Sequence, residues 1–305
     1  MSQAVWQGAA PFEPPTVRTR VRSMMLSGMY VAARVKRAVS PRGRDAHRLR
    51  ALLYHDVAPE DEAVFAAHLR RVARRWRFVT AAQFAEMAMG QAPVTADSVL
   101  LTFDDGFASN LRVAERVLKP LQIPALFFVV NGFISLDDDE SEYAFIAEHI
   151  WPGIGLSRVP AAWRSMTWDD LARLVSLGHT IGAHTMSHAR LSDLTDESVL
   201  RREIAASGEQ IAAALGVRVE HFAFPFGNAA SISPLALRIA GEHYPFVHSG
   251  LRGSNSGRAA PRLVARDAVS TRDSPVAATA FLEGVADQRH AASLRLLEQW
   301  FGADR

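Results

Sequence analysis

The chain has no cysteine. That excludes a disulfide framework, a thiolate nucleophile and a thiolate-bound metal, so any metal site must be built from His, Asp or Glu, and the redox compartment stays unread. Also missing are an apolar run of the ~20 residues that would span a bilayer, an internal repeat and a low-complexity tract. No charge sign dominates: 34 Lys and Arg face 32 Asp and Glu, a formal net charge of +2. What is present, 305 residues of which 49% are hydrophobic, is enough to bury a sizeable core as one large domain or two small ones.

The charge balance conceals an asymmetry. Residues 1–50 carry ten Arg or Lys against two acids, a net of +8, which leaves −6 for the rest of the chain. A nucleic-acid binder spreads basic and aromatic residues over a face of its fold; here the body is mildly acidic, so no nucleic-acid partner is expected. Val17 to Val39 mixes Met24, Met25, Leu26, Met29, Val31 and Val35 with Arg18, Arg20, Arg22, Arg34, Lys36 and Arg37. Two readings stand for this arm over 1–50: a basic amphipathic helix making peripheral contact with an anionic membrane, or a solvated, partly disordered segment. "YVAA" is a poor cleavage site and the leader before it contains Glu13, so a cytoplasmic or membrane-associated location is expected over secretion. The main domain is expected over 51–272, with a C-terminal helix over 273–305 packed on it.

From Leu52 onward short apolar runs alternate with helical patterns, the signature of βα units and a mainly parallel sheet. Helix ends are marked. Thr80 and Gln83 stand in capping-box register with Gly90 as the stop; Thr167 is followed by Asp169 and Asp170, with Gly178 at the end; Ser233, Pro234 and Gly241 give a cap, a first helical residue and an expected terminus. The buried strands predicted between them are "ALLYH", "SVLLTF", "ALFFVV", "HTIGAH", "HFAFPF", "YPFVHS" and "RLVARDAV". About seven strands with intervening helices suit a barrel-like α/β architecture.

The polar clusters "YHD", "TFDDG", "HTMSH" and "FPFG" each follow a predicted strand. In a barrel the C-terminal strand ends converge on one face, where loops build active sites. Taken singly, each cluster has a plain structural explanation. Asp104, Asp105 and Gly106 can be an Asx turn; His184 and His188 share one face only if their segment is helical; Tyr54–His55 and "FPFG" carry little by themselves. Together they fit one chemistry. Two His and one carboxylate leave open positions on a divalent cation, as catalytic sites do, and a second carboxylate can stay unligated and act as base on water.

"TFDDG", "HTMSH" and "FAFPFG", in this order, resemble the first three motifs of the NodB-homology polysaccharide deacetylases, carbohydrate esterase family 4. The intervening "LKPLQIPALFFVV", "MTWDDLARLVSLGHTIGAHTMSHARLSDLT" and "PRLVARDAV" extend the likeness over roughly Leu52 to Ser270. The pattern is nearest to members that act on poly-N-acetylglucosamine. The resemblance implies an α/β fold, a distorted (β/α)7 barrel, and an acetylated glycan as substrate. It implies a divalent metal, usually zinc, bound by Asp105, His184 and His188, with Asp104 as general base. A backbone N–H near Phe226 or Gly227, beside Pro225, would meet the oxyanion.

Two departures from the family pattern stand out. The third motif lacks its usual Arg, so Arg262 or Arg266 in "PRLVAR" is expected to orient the base. The family's Leu-x-His motif is also absent; only His290 follows Arg266, on an expected C-terminal helix. "YHDVAP" resembles the N-terminal strand of the poly-N-acetylglucosamine deacetylases, whose His is proposed as acid, which makes His55 the candidate acid here and His248 its competitor. Trp168 is read as a packing residue at a helix start in preference to a sugar platform. "SLDDDESEY" (Ser135 to Tyr143) is read as a solvated loop with a possible role in a groove. The expected function is hydrolytic removal of N-acetyl groups from an amino-sugar polysaccharide or glycan precursor. An O-acetyl polysaccharide esterase and an inactive carbohydrate-binding homologue are the alternatives.

Overall fold

The computed structural model describes residues 17–39, 47–136 and 138–302, with side chains from Met25 onward. The flanking parts of the basic arm, 1–16 and 40–46, and Asp137 of the acidic segment lie outside the described residues. Nine strands are present among them: β1 (Leu49–Tyr54), β2 (Arg77–Phe78), β3 (Ser98–Phe103), β4 (Ala125–Val129), β5 (Thr180–Ala183), β6 (His221–Ala223), β7 (Phe246–His248), β8 (Leu263–Val264) and β9 (Asp267–Ala268). Every strand pair is parallel, and the order is β8-β7-β6-β5-β4-β3-β1-β9, with β2 added on β3.

The two ends of that order are one stretch of chain. β8 pairs with β7 and β9 pairs with β1, so the segment from Leu263 to Ala268 joins both edges of the curled sheet and supplies its last stave. Staves β1, β3, β4, β5, β6, β7 and β8/β9 make the distorted (β/α)7 barrel that the sequence predicts, with β2 as a two-residue addition it did not signal.

β1, β3, β4, β6, β7 and β8 are buried at every position, as a parallel sheet covered on both faces requires. Alternation then sorts the side chains. Leu52, Tyr54, Val99, Leu101, Phe103, Phe127 and Val129 pack against the surrounding helices. Leu49, Ala51, Leu100, Leu126, Phe128, Ala223 and Val264 form a separate cluster inside the ring. Gly182 makes room there: a Cβ would stand 2.6 Å from the Phe128 ring.

The helix signals largely hold. Thr80 and Gln83 form the predicted capping box at the start of helix Ala81–Ala88, and Thr167 with Asp170 does the same for Trp168–Ser176. Ser233 caps Pro234–His243, but Gly241 lies inside that helix and does not end it. Its missing side chain is used for packing: a Cβ would meet the Phe301 ring at 2.9 Å. Helix Val17–Val39 lies against the domain through Leu26, and the C-terminal region contains two helices, Ala277–Leu282 and Ala291–Gly302.

Candidate active site

The inner register of β3 carries Leu100 and Thr102, and the next residue on that face is Asp104. Its position follows from the pleat alone. Asp105 leaves the register because its backbone turns left-handed, φ 78°, followed by Gly106 at φ 94°. Asp tolerates this conformation better than most residues, and Gly106 has little choice, since a Cβ would stand 2.9 Å from Ile134 Cδ1. The break sends two adjacent carboxylates to different partners.

Asp104 meets Arg266, which continues the inner register of Val264. The guanidinium grips both carboxylate oxygens, Nη1 to Oδ1 at 2.6 Å and Nη2 to Oδ2 at 2.9 Å. Its own Nε donates to the Ser249 carbonyl at 2.9 Å, and it lies over the Phe128 ring at 5.1 Å. This is a bidentate, fully buried pair of fixed geometry. Arg262, the other expected orienting residue, does not reach the site. It donates to the carbonyls of Pro245, Gly241 and Tyr244 at 2.7, 2.8 and 2.7 Å, closing the C-terminal end of helix Pro234–His243. Four residues apart, the two arginines share one strand parity and are separated by position along the segment: Arg262 precedes β8 beside the helix end, and Arg266 follows it at the cavity.

Asp105 faces the histidines. Its Oδ1 lies 3.5 Å from His184 Nε2 and 3.4 Å from His188 Nε2, and this buried oxygen has no hydrogen-bond partner. One ligand atom from each of the three residues lies within 4.8 Å of the others. His184 Nδ1 is 2.8 Å from the Ala223 carbonyl and His188 Nδ1 is 2.7 Å from the His149 carbonyl. A carbonyl can only accept, so each ring carries its proton on Nδ1 and turns the Nε2 lone pair to the common centre. The "HTMSH" segment is no helix. Thr185 and His188 are left-handed, φ 70° and 59°, and these bends, in place of a helical repeat, bring the two imidazoles together.

The electrostatics of the three groups favour a positive charge at their centre. Burial pushes the Asp105 carboxyl up, but the neighbouring imidazoles, His184 first, outweigh it and bring it to about 2. Burial lowers His184, yet Asp104 and Asp105 draw it above its usual value. Burial dominates at His188 and takes it to about 4, leaving a neutral ring. An orphaned carboxylate oxygen and two outward lone pairs within one small radius fit a divalent cation with three protein ligands and open positions.

Above this cluster opens a cavity of about 150 Å³, lined by His55, Asn228, Arg252, Ser270, Asp273 and His290 in addition to the residues already named. His55 stands half-buried at the mouth, after β1. His248 is elsewhere: fully buried within the barrel, its Nε2 is 3.0 Å from His221 Nδ1, and burial, then His221 and Arg266, hold it well below its usual value. It is absent from the cavity wall. Sequence reasoning set His290 aside as a helix residue; it precedes helix Ala291–Gly302 and reaches the wall through the fold of the C-terminal region.

Pro225, Phe226 and Gly227 form a tight turn. The Gly227 N–H donates to the Pro225 carbonyl at 2.7 Å around a left-handed Phe226, φ 61°. That engagement removes Gly227 as an oxyanion donor and leaves Phe226 as the candidate. The turn packs so closely on the next loop that a Cβ on Gly227 would stand 2.4 Å from Gly250 N. The Phe226 ring sits between His188, at 4.8 Å, and Arg190, at 4.5 Å. Trp168 starts its helix and packs against the core. The acidic segment forms helix Asp139–Phe145, started by Asp138, whose Oδ1 accepts from Ser141 N at 2.8 Å. Its continuation presents the His149 carbonyl to His188, a backbone role with no sequence signal.

Parallel barrel and carboxylate–histidine cluster together define a carbohydrate deacetylase, and residues 91–244, just over half of the chain, match the family model for polysaccharide deacetylase. The chain belongs to the polysaccharide deacetylase family and is a deacetylase hydrolase. It is similar to IcaB from Ammonifex degensii, at 25% identity over 78% of this chain and 98% of that one, TM-score 0.59. The Streptococcus pyogenes deacetylase PplD, solved in complex with acetate, shares the fold at 17% identity, 77% and 98% coverage and TM-score 0.61. So does the deacetylase domain of BpsB from Bordetella bronchiseptica, at 18% identity, 72% and 95% coverage and TM-score 0.56. No curated protein matches the chain.

Proposed function

We propose that this protein is a metal-dependent N-deacetylase that removes acetyl groups from an amino-sugar polysaccharide or glycan precursor. The observation that supports it most is the division of the adjacent acids: Asp104 held on both oxygens by Arg266, Asp105 with an Oδ1 that has no hydrogen-bond partner and faces two imidazole nitrogens. Asp105, His184 and His188 would hold the cation, with zinc first among the candidates. When bound, that cation supplies positive charge that polarises the acetyl carbonyl and makes a water more acidic. Asp104 takes the proton of the attacking water, and the Arg266 fork on its two oxygens supports that role by holding the carboxylate in one orientation. The Phe226 N–H stabilises the developing oxyanion. His55, on the wall of the same cavity, gives a proton to the departing amine, without which the tetrahedral species reverts to amide.

The decisive measurement is acetate release from matched N-acetylated and O-acetylated glycans by metal-stripped and zinc-reloaded protein. Release from N-acetyl substrates that returns with zinc is expected. Release from O-acetyl substrates alone would overturn the reading, and so would a zinc-loaded protein that binds glycan and releases nothing. Within the site, His55→Ala should lower turnover with zinc content retained; loss of zinc instead would refute its role as acid.

A further inference from the structure

Helix Val17–Val39 has one face that the fold uses and one that it does not. On the used face Leu26 is buried in the main core, and Tyr30 and Ala33 pack against it. Arg37 donates to Asp97 through Nη1 at 2.6 Å and Nη2 at 2.8 Å, with Glu283 at 3.6 Å. At about 100° per residue these four positions fall within an arc of about 60°. The helix is thus fixed to the domain along one side.

The other side is apolar and faces solvent. Met25, Met29, Val31, Val35 and Val39 are 63%, 42%, 59%, 57% and 69% exposed. Four large apolar residues exposed elsewhere among the described residues are scattered singly over the fold: Val64, Met89, Leu156 and Leu296. The five on this helix share an arc of about 160° at 3.6 residues per turn, with Gly28 and Ala32 between them, so they form a continuous strip where a soluble helix normally presents charge. The helix contains no acid at all, while its sequence carries six Arg or Lys. Of these Arg37 is committed to Asp97, and exposed Lys36 stands within the strip itself. Among the described residues, no helix is long and apolar enough to cross a membrane.

We propose that this outer face is a membrane-surface anchor that lays the enzyme on an anionic lipid bilayer. Apolar side chains enter the boundary between headgroups and acyl chains, and the basic side chains along the helix, their stems long enough to reach up from a partly sunk helix, pair with lipid phosphates. A second copy of the chain fits this face poorly, because pairing it with itself would appose basic residues with no acid on either helix to compensate. Association with anionic lipid satisfies both the apolar strip and the excess of positive charge that the helix sequence carries.

The test is co-sedimentation of the full chain with vesicles of phosphatidylcholine alone and of phosphatidylcholine with phosphatidylglycerol in equal parts. The anionic vesicles should bind the protein about tenfold more tightly than the neutral ones, and molar salt should reduce the difference. The variant Met25→Gln/Met29→Gln/Val35→Gln changes only exposed positions. It should cut partition to anionic vesicles about tenfold with thermal midpoint and acetate release from a soluble glycan unchanged. Equal partition of wild type and variant, or no partition of either, overturns the proposal. A lipid-free dimer that the same variant converts to monomer also overturns it, since the face would then be a self-interface.

Discussion

Arg266 and Asp267 are neighbours in sequence and face opposite sides of one barrel stave, and each belongs to a buried Arg–Asp pair. Inside the ring, Arg266 holds Asp104 at 2.6 Å and 2.9 Å. Outside it, Asp267 accepts from Arg50 Nε and Nη2 at 2.9 Å and 2.8 Å, and Arg50 also reaches Asp287 at 2.7 Å. The inner pair opens on a cavity and leaves Asp104 beside His184, 3.8 Å from its Nε2. The outer pair opens on nothing; it ties β1 to β9 where the ring closes. The same two residue types at nearly the same distance thus serve chemistry on one face and closure on the other. Solvent access, not the pair itself, makes the difference.

Breaking the inner pair should give the largest effect. Asp104→Asn is expected to lower acetate release by about 10³-fold, within the span of general-base loss, with zinc bound in normal stoichiometry by elemental analysis. Asp105→Asn should reverse that signature and lose the metal. If both variants keep zinc, or both lose it, the division of labour between the acids is wrong.

Breaking the outer pair should cost stability in place of chemistry. Asp267→Asn leaves Arg50 with a buried, half-compensated charge, for which about 3–5 kcal/mol is typical, read as a lowered denaturation midpoint in urea. Turnover per folded molecule should fall far less than in Asp104→Asn. A fall as deep as that of Asp104→Asn would mean that the outer pair controls the inner one.

A third prediction concerns the histidines inside the ring beneath the site. Burial lowers His221 to about 4 and, with His221 and Arg266 nearby, takes His248 well below its usual value. Both are therefore neutral in the fold, while an unfolded histidine titrates near 6.5. The unfolded chain binds more protons in that interval, so stability is intact above about pH 6.5 and is lost as pH falls towards 4, by on the order of 2 kcal/mol per histidine at pH 5. Urea titrations at pH 7 and 5 on metal-free protein measure it, and His221→Gln should show a shallower fall. An equally steep fall in the variant would assign the loss to other groups.

The smallest effect sharpens the comparison of the two candidate arginines. Arg262→Ala removes three hydrogen bonds to carbonyls at a helix end and should cost about 1–3 kcal/mol in stability with kcat unchanged. A tenfold drop in kcat would restore Arg262 to the site.

Much of this was readable in the chain. Burial on both faces makes parallel strands into unbroken apolar runs, so Ser98–Phe103 and Ala125–Val129 declare themselves, and Thr80 and Thr167 mark helix starts by chemistry internal to four residues. The segment ending in Val264 and Arg266 was harder. Its split into β8 and β9 depends on which edges it must join, and two arginines four residues apart look equivalent until the barrel puts one inside and the other at a helix end. "HTMSH" is the opposite case, in which a helical spacing suggested the right neighbours for a wrong reason.

Sequence by itself determined the strand pleat that turns Asp104 inward, the two acids standing side by side, and the imidazoles available to face one of them, because these depend on local periodicity and residue type. Tertiary structure decided which arginine holds Asp104, and that His248 lies buried while His55 lines the cavity. Those outcomes depend on contacts between residues far apart in the chain, Arg266 and Asp104 being 162 positions apart, and such contacts exist only once the ring has closed.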